Sequence, residues 1–447
     1  MSRKVLVERI TARVFCHPNC GSQVGGRGGG GGNPVTVFLP ERRMKQSVYQ
    51  SLATQCSWES VIIEPPTAGG ITCDYSRMSF YMPSGLQVSY CAHAAIGGAF
   101  VAAAERNDNS STGTAFMERE GNDDHTGATE TERLPREEDE RRTSTQRRFS
   151  FIPNMLPDEV HTVDVDVVDD AACLSMRNTI FDDKQVSDPT LLMKVLDDHL
   201  DVSKEILKNK NQSDEDETKS DASASTPPTF RNVSVVRPKT LVFIPKLDDL
   251  RNNISIPPVS SPSPSPSEPA PSPSSGSDNT NLRNQSFEEA CGSIDDSTGL
   301  YLYSKLEDCD LDDNADNTDG DTLSLSSLVS SWEARQFPRA SGYPEDPATG
   351  IAAAALATCL AKNYYYSADT KAKVDETMKT TGRKIPNFNI YQGMSMDRPS
   401  LIQVVDLHFE NEEKTIVSFG LKGTVMIDEK ESLELCIAGE EDSGKNV

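Results

Sequence analysis

Residues Ala94 to Ala104 read AAIGGAFVAAA, and residues Ile351 to Ala361 read IAAAALATCLA. Both stretches are Ala-rich, favour helix and are apolar around almost the whole circumference. A helix without a polar face must be buried. At about 11 residues, neither reaches the roughly 20 needed to cross a bilayer. Their small side chains let surrounding backbone approach closely. The economical solution is a central helix wrapped by a curved sheet, used twice, which predicts an α+β fold of two similar lobes.

The sequence around these stretches supplies the sheets. Val5 to Phe15 reads as an opening strand, and Val35 to Leu39 (VTVFL) as a second. Arg77 to Met82 and Val163 to Val168 alternate apolar and polar, as half-buried strands do. Thr240 to Ile244 (TLVFI) and Gly299 to Tyr303 (GLYLY) are further strands. Pro189 to Leu207 has helical periodicity, with Asp188 and Pro189 suited to a helix start. The lobes are expected at residues 1–155 and 156–447, with the last strands able to return to the first lobe.

Five segments interrupt the pattern: the glycine run 21–32, then 121–146, 209–226, the Ser-Pro repeat 257–277 and the acidic run 308–321. These compositions bury too little apolar surface to offset chain entropy and are expected as surface insertions. The formal net charge is −25 over 447 residues. That balance argues against a phosphate backbone or an anionic membrane as partner. No secretory-type leader is evident at the N-terminus, and the ten cysteines are scattered, so free thiols and a cytoplasmic location are expected. Cys16, His17 and Cys20 form a CxxxC without the further ligands a zinc site needs. No metal and no cofactor is expected. The G-x-G-x-x-G within the glycine run is met trivially and is followed by a strand, which argues against a dinucleotide site.

Each buried stretch follows a polar cluster: Cys91, Ala92 and His93 before the first, and Glu345, Asp346, Pro347, Thr349 and Gly350 before the second. A helix N-terminus presents unpaired N–H groups and attracts anions. Two such termini facing each other would bind a carboxylate, with His93 and Asp346 beside it to handle protons. The plainer alternative makes Asp346 an N-cap and His93 a satisfied core residue.

The motifs in order carry a resemblance. Gly32-Asn33-Pro34-Val35-Thr36-Val37, Ser57-Trp58-Glu59-Ser60, Tyr81-Met82-Pro83, Ala92-His93-Ala94, Arg335-Gln336-Phe337, Glu345-Asp346-Pro347-Ala348-Thr349-Gly350, Tyr391-Gln392-Gly393 and Arg398-Pro399-Ser400 resemble the motifs of the PhzF-like isomerases. The resemblance implies a diaminopimelate-epimerase-like fold: two lobes, each a curled, mostly antiparallel sheet around a central helix, with the site between them. It implies that Glu59 is the general acid/base, with His93 and Asp346 as catalytic partners. Gln392, Gly350, Ala92 and Thr349 fall at substrate-binding positions, with backbone N–H of Gly350 offered to a substrate carboxylate. It also implies a homodimer acting on a small carboxylated, possibly cyclic, metabolite. The chain departs from the family pattern at Ala92, Ala95, Ile351, Gln87 and Ile62.

Two other functions compete with the isomerase. A two-cysteine racemase of the same fold would need a thiol ahead of each helix, and the second helix has none. A PhzF-like scaffold that binds a metabolite or protein without catalysis is favoured by Ala92 and Ile351, and disfavoured by the intact set Glu59, His93, Asp346 and Gln392.

Overall fold

Runs of β-branched and aromatic residues become strands where one or both faces can be buried. The computed structural model describes residues 3–18, 31–65, 76–109, 147–153, 163–207, 229–256, 286–306, 329–339, 343–365 and 387–437. The segments 121–146, 209–226, 257–277 and 308–321, and nearly all of the glycine run, lie outside them. The first ring and its helices comprise β1 (Arg3–Cys16), β2 (Asn33–Pro40), α1 (Gln46–Ala53), β3 (Ser60–Glu64), β4 (Ser76–Tyr81), β5 (Gln87–Val88), α2 (Ala92–Asn109), β6 (Arg147–Pro153) and β7 (Val163–Val168), the last of these lying past the bound of 155 expected from the sequence because it pairs with β6. There follow β8 (Ala171–Gln185), α3 (Pro189–Leu200), α4 (Lys204–Leu207), β9 (Phe230–Val235), β10 (Arg237–Phe243), α5 (Leu247–Asn252), α6 (Phe287–Gly292), β11 (Gly299–Lys305) and β12 (Val329–Pro338). The last elements are α7 (Gly350–Leu360), β13 (Asn387–Gln392), β14 (Ser400–Phe409) and β15 (Ile416–Ile437).

All fifteen strands are hydrogen-bonded into one sheet that closes on itself twice. One ring runs β1, β2, β3, β4, β6, β7, β8 and β15; the other runs from β8 through β15 in chain order. The two rings share β8 and β15. The 22 residues of β15 let it pair with β14 and β8 near its start and with β1 along the rest.

The two buried helices follow from strand direction. β4 and β6 are parallel neighbours, as are β12 and β13. Parallel neighbours cannot be joined by a tight hairpin and need a crossover. Here the crossovers are α2 and α7, and each runs inside its ring. The other parallel pairs, β2 with β3 and β10 with β11, are connected around the outside, through α1 in one lobe and α5 and α6 in the other. The same order of connections is thus used twice, as the two Ala-rich stretches predicted.

Both central helices lie in one continuous core, with Ala94, Ala95, Ile96 and Ala99 in one ring and Ala352 through Leu356 in the other. Outside the second ring, α3, α5 and α6 bury a separate cluster with Val242, Leu300 and Leu302. Outside the first, Tyr49 and Leu52 of α1 cover Phe38, Ile62 and Tyr81. The helix expected over Pro189 to Leu207 is broken into α3 and α4. Asp201 takes a left-handed conformation, φ 56°, and closes α3 by donating its N–H to the Leu196 carbonyl. Asp188 caps the start, accepting from the Leu191 N–H at 2.9 Å. The seven described cysteines are free, and among the described residues no helix is long and apolar enough to cross a membrane.

Closeness of approach explains the Gly97-Gly98 pair in α2. A Cβ on Gly97 would lie 2.7 Å from a methyl of Val35 and 3.0 Å from one of Val14, both core side chains. Replacing Gly97 by Ala should therefore lower stability by about 1–2 kcal/mol, overpacking outweighing a gain of roughly 1 kcal/mol in helix propensity. Urea unfolding measures this, and a rise in the midpoint would show that α2 is not held against the sheet as described.

Candidate functional site

The ends of the two central helices meet the short segment that precedes β3. Glu59 closes that segment and is held where the Thr36 N–H donates to its carbonyl at 3.1 Å. The residue is 6 % exposed. The Tyr343 hydroxyl donates to Glu59 Oε1 at 2.6 Å. Glu59 Oε2 is buried without a hydrogen-bond partner and stands 3.9 Å from His93 Nε2. One carboxylate oxygen is thus fixed and the other is free of hydrogen bonds.

His93 belongs to the first turn of α2, which begins at Ala92, so Ala92 and His93 lie within the helix rather than ahead of it. Burial pushes the His93 imidazole below its usual value, while the Glu59 charge acts in the opposite sense. Cys91 Sγ is 3.4 Å from His93 Nδ1. Burial raises the Cys91 thiol, reinforced by Glu59, so it stays protonated and can donate to Nδ1. The other ring nitrogen, Nε2, faces Glu59.

On the other side, Asp346 precedes α7 and is fixed by its own neighbours. Its Oδ1 accepts from Asn33 Nδ2 at 2.8 Å and from the Ala348 N–H at 3.2 Å. Its Oδ2 accepts from the Thr349 hydroxyl at 2.6 Å. Asp346 is not the helix N-cap: Thr349 occupies that position, with its side chain turned to Asp346 instead of to the helix. Burial pushes the Asp346 carboxyl up to about 7, and the Glu59 charge adds to the rise. The three hydrogen bonds favour the anion but do not overcome desolvation.

Gln392 ends β13 and ties this corner together. Its Nε2 donates to the Asp346 carbonyl at 2.6 Å, and its Oε1 accepts from the Tyr301 hydroxyl at 3.1 Å and the Thr349 N–H at 3.2 Å. With its amide committed on three sides, Gln392 positions Asp346 and Thr349 and has little capacity left for a ligand. Gly350 is buried at the start of α7 against Phe15 and Leu421.

A buried clamp fixes the turn that carries Asp346. Arg335 holds Glu345 through two parallel bonds of 2.9 and 2.7 Å, and its remaining nitrogen donates to the carbonyls of Leu250 and Ile254 in and after α5. This pair is nearly inaccessible, and its bidentate geometry satisfies both partners. The Asp346 N–H donates to the Gln336 carbonyl at 2.9 Å, locking the turn to β12.

Glu59, His93, Asp346, Gln392, Thr349, Gly350 and Ala92 therefore come together at the seam between the rings. Of the departures, Gln87 bonds Gln46 at 2.6 Å on the exposed surface, away from the seam. Sequence reasoning missed Tyr343, which no pattern distinguishes, and Asn33, which lay within a quoted motif but received no role. At the outer rim, Arg398 packs over the Trp58 ring at 4.8 Å, and Trp58 faces Tyr343 at 6.4 Å between centroids. A groove of about 360 Å³ beside α1, lined by Val48, Leu52 and Leu435 among others, contains no carboxylate or imidazole and offers no comparable proton chemistry.

No family model matches the sequence, and no curated protein matches it. Among solved structures, the chain is similar to a phenazine biosynthesis protein of the PhzF family from Bacillus anthracis, with a TM-score of 0.55 and 13 % identity over 96 % of this chain and 99 % of that one. It is also similar to a predicted epimerase from Pseudomonas aeruginosa, with a TM-score of 0.51 and 14 % identity over 95 % of this chain and 98 % of that one. Likeness at such identity is likeness of fold. The chain has the PhzF-like, diaminopimelate-epimerase-like fold.

Proposed function

We propose that the protein is an isomerase that moves a proton within a small carboxylated metabolite, with Glu59 as general acid/base and without a cofactor. The observation that carries this reading is the division of labour within one carboxylate. Glu59 Oε1 is fixed by Tyr343 while Oε2 is buried and unpartnered, where a carbon-bound proton can meet it. Burial, with the Asp346 and Glu59 charges, holds the Tyr343 phenol well above its usual range, so it remains a donor. In the proposed cycle a substrate C–H bond breaks and Oε2 takes the proton. The electron pair enters the conjugated system of the substrate, and the same oxygen returns the proton at another carbon. Neutral His93 stands beside that oxygen, and Asp346, with a carboxyl that titrates near neutrality, is the second group able to hold a proton. The N-termini of α2 and α7 supply backbone donors for the substrate carboxylate. A homodimeric assembly remains part of the proposal on resemblance alone.

A binding scaffold without catalysis is the second reading. It is favoured by Ile351, which places an apolar side chain in the first turn of α7, and by the Tyr343 bond that engages Glu59.

Solvent-deuterium incorporation into small carboxylic acids, including dihydro-hydroxyanthranilate-like compounds, separates the two. Wild type should exchange at least one of them, and Glu59→Gln should lose roughly 10²–10⁴-fold of the rate. Binding without exchange by wild type would give the lead to the scaffold.

The proton on Asp346 makes a second prediction. Its carboxyl titrates near 4 in the unfolded chain and at about 7 in the folded one. The folded state therefore binds the proton more tightly, and the associated stability is fully present below about pH 4 and is lost as pH rises through 7. Asp346→Asn removes this dependence. The unfolding free energy of wild type minus variant should fall by about 2–4 kcal/mol between pH 4 and 7, then level off. Denaturant titrations across that range measure it; a constant difference would mean that Asp346 is ionised throughout.

A further inference from the structure

Among the described residues, Lys239 is a buried lysine without a paired carboxylate. It stands on β10, and the alternation of that strand puts it on the face of Leu241 and Phe243, both in the core around α7. Its partner across the β9 ladder, Val233, belongs to the same core. Lys239 is 8 % exposed. Among the described residues, no carboxylate lies within the 4.0 Å of an ion pair. Asp346 is near enough to act on it electrostatically, yet its oxygens are taken by Asn33, Ala348 and Thr349. Burial lowers the Lys239 ammonium to about 8. A buried cation kept only for structure would be expected to close onto a carboxylate, because an unpaired buried charge is costly.

A second polar group, two strands away, has no hydrogen-bond partner at all. Gln336 of β12 is fully buried, and neither its Oε1 nor its Nε2 has a hydrogen-bond partner. β11 separates β10 from β12, and the pairing of Thr240 with Leu300 places Lys239 beside Gly299. A Cβ on Gly299 would lie 2.2 Å from Gln336 Nε2. The missing side chain is what lets the Gln336 amide lie across β11 toward the strand of Lys239. Gln336 is also joined to Asp346 through the backbone, so both groups sit on the inner wall of the second ring next to the catalytic corner.

We propose that Lys239 and Gln336 form a second anion subsite of the seam, so that the substrate is a dicarboxylate with one carboxylate held there while the other end reacts at Glu59. The inference rests on reading the seam as the proton-transfer site. Lys239 supplies the charge and Gln336 the directional donor, the combination that makes a charge-assisted hydrogen bond to a carboxylate strong.

The test compares succinate with succinamate, which have the same skeleton but two carboxylates and one. Each is titrated calorimetrically into the full chain at pH 7. Wild type should bind succinate about tenfold or more tightly than succinamate, the worth of one hydrogen bond to a charged group. Lys239→Met should abolish that preference while melting at or above the wild-type temperature, since it removes a buried charge and keeps the volume. Gln336→Met, which leaves the cation in place, should reduce the preference and guards against a folding defect in the first variant. No preference in wild type, or its retention in Lys239→Met, overturns the inference. Glu59→Gln should keep the succinate preference. If that preference holds while deuterium exchange is absent from wild type, the isomerase reading fails and the subsite stands; the reverse pattern removes only the subsite.

Discussion

The constraint on which the molecule depends is that two crossover helices pass through the inside of closed rings of strands. A helix on the outer face of a sheet needs one apolar stripe; one enclosed by a sheet needs an apolar surface on every side. It must also be thin, because inward-facing strand side chains already occupy most of the space. Alanine meets both demands and favours helix, and the Gly97-Gly98 pair admits the closest approach to Val35 and Val61. Large side chains are supplied by the strands instead, among them Phe80, Phe151, Tyr301 and Trp332. The helices fix the axis, and the strands fill the volume around it.

Threading helices in this way determines where polar groups can gather. Their N-termini emerge at the seam, where β8 and β15 pass from one ring to the other. The orphan N–H groups of each first turn lie there together. The same topology, used twice, has acquired different chemistry at its two ends. α2 begins with Cys91, Ala92 and His93, and α7 follows Glu345, Asp346 and Thr349. Glu59 comes from neither helix; it enters from the segment before β3 and stands within electrostatic reach of Asp346 and Cys91.

The buried polar groups fall into two kinds. Arg335 with Glu345, Gln392 with Asp346 and Thr349, and Arg251 with Glu333 are satisfied through several bonds. These hold turns and strand ends in register. Glu59 Oε2 and both ends of the Gln336 amide are buried without a hydrogen-bond partner, and Lys239 makes no ion pair among the described residues. Leaving buried polar groups unpaired costs free energy; Glu59 and Lys239 are both within electrostatic reach of Asp346, and Gln336 is bridged to it through the backbone. Structural demand accounts for the first kind; the proposed proton transfer and anion subsite would account for the second.

Much of the fold was legible in the sequence because burial leaves a local mark. The two all-apolar stretches identified the central helices, alternation identified β4 and β7, and β-branched runs identified β2, β10 and β11. The order of motifs grouped Glu59, His93, Asp346 and Gln392, and the structure brings these four side chains near one another. What local pattern could not carry was contact between distant residues. Double closure depends on β15 reaching β1 across more than 400 positions. The Tyr343 bond to Glu59 spans 284. The break at Asp201 depends on a left-handed residue that periodicity does not register. Lys239 lies just outside the strand read from Thr240 to Ile244, and the structure buries it. Composition and periodicity determined which segments are buried, because burial acts on each segment's own surface. The tertiary structure alone decided which buried polar atoms find partners, because that depends on what the closed rings bring beside them.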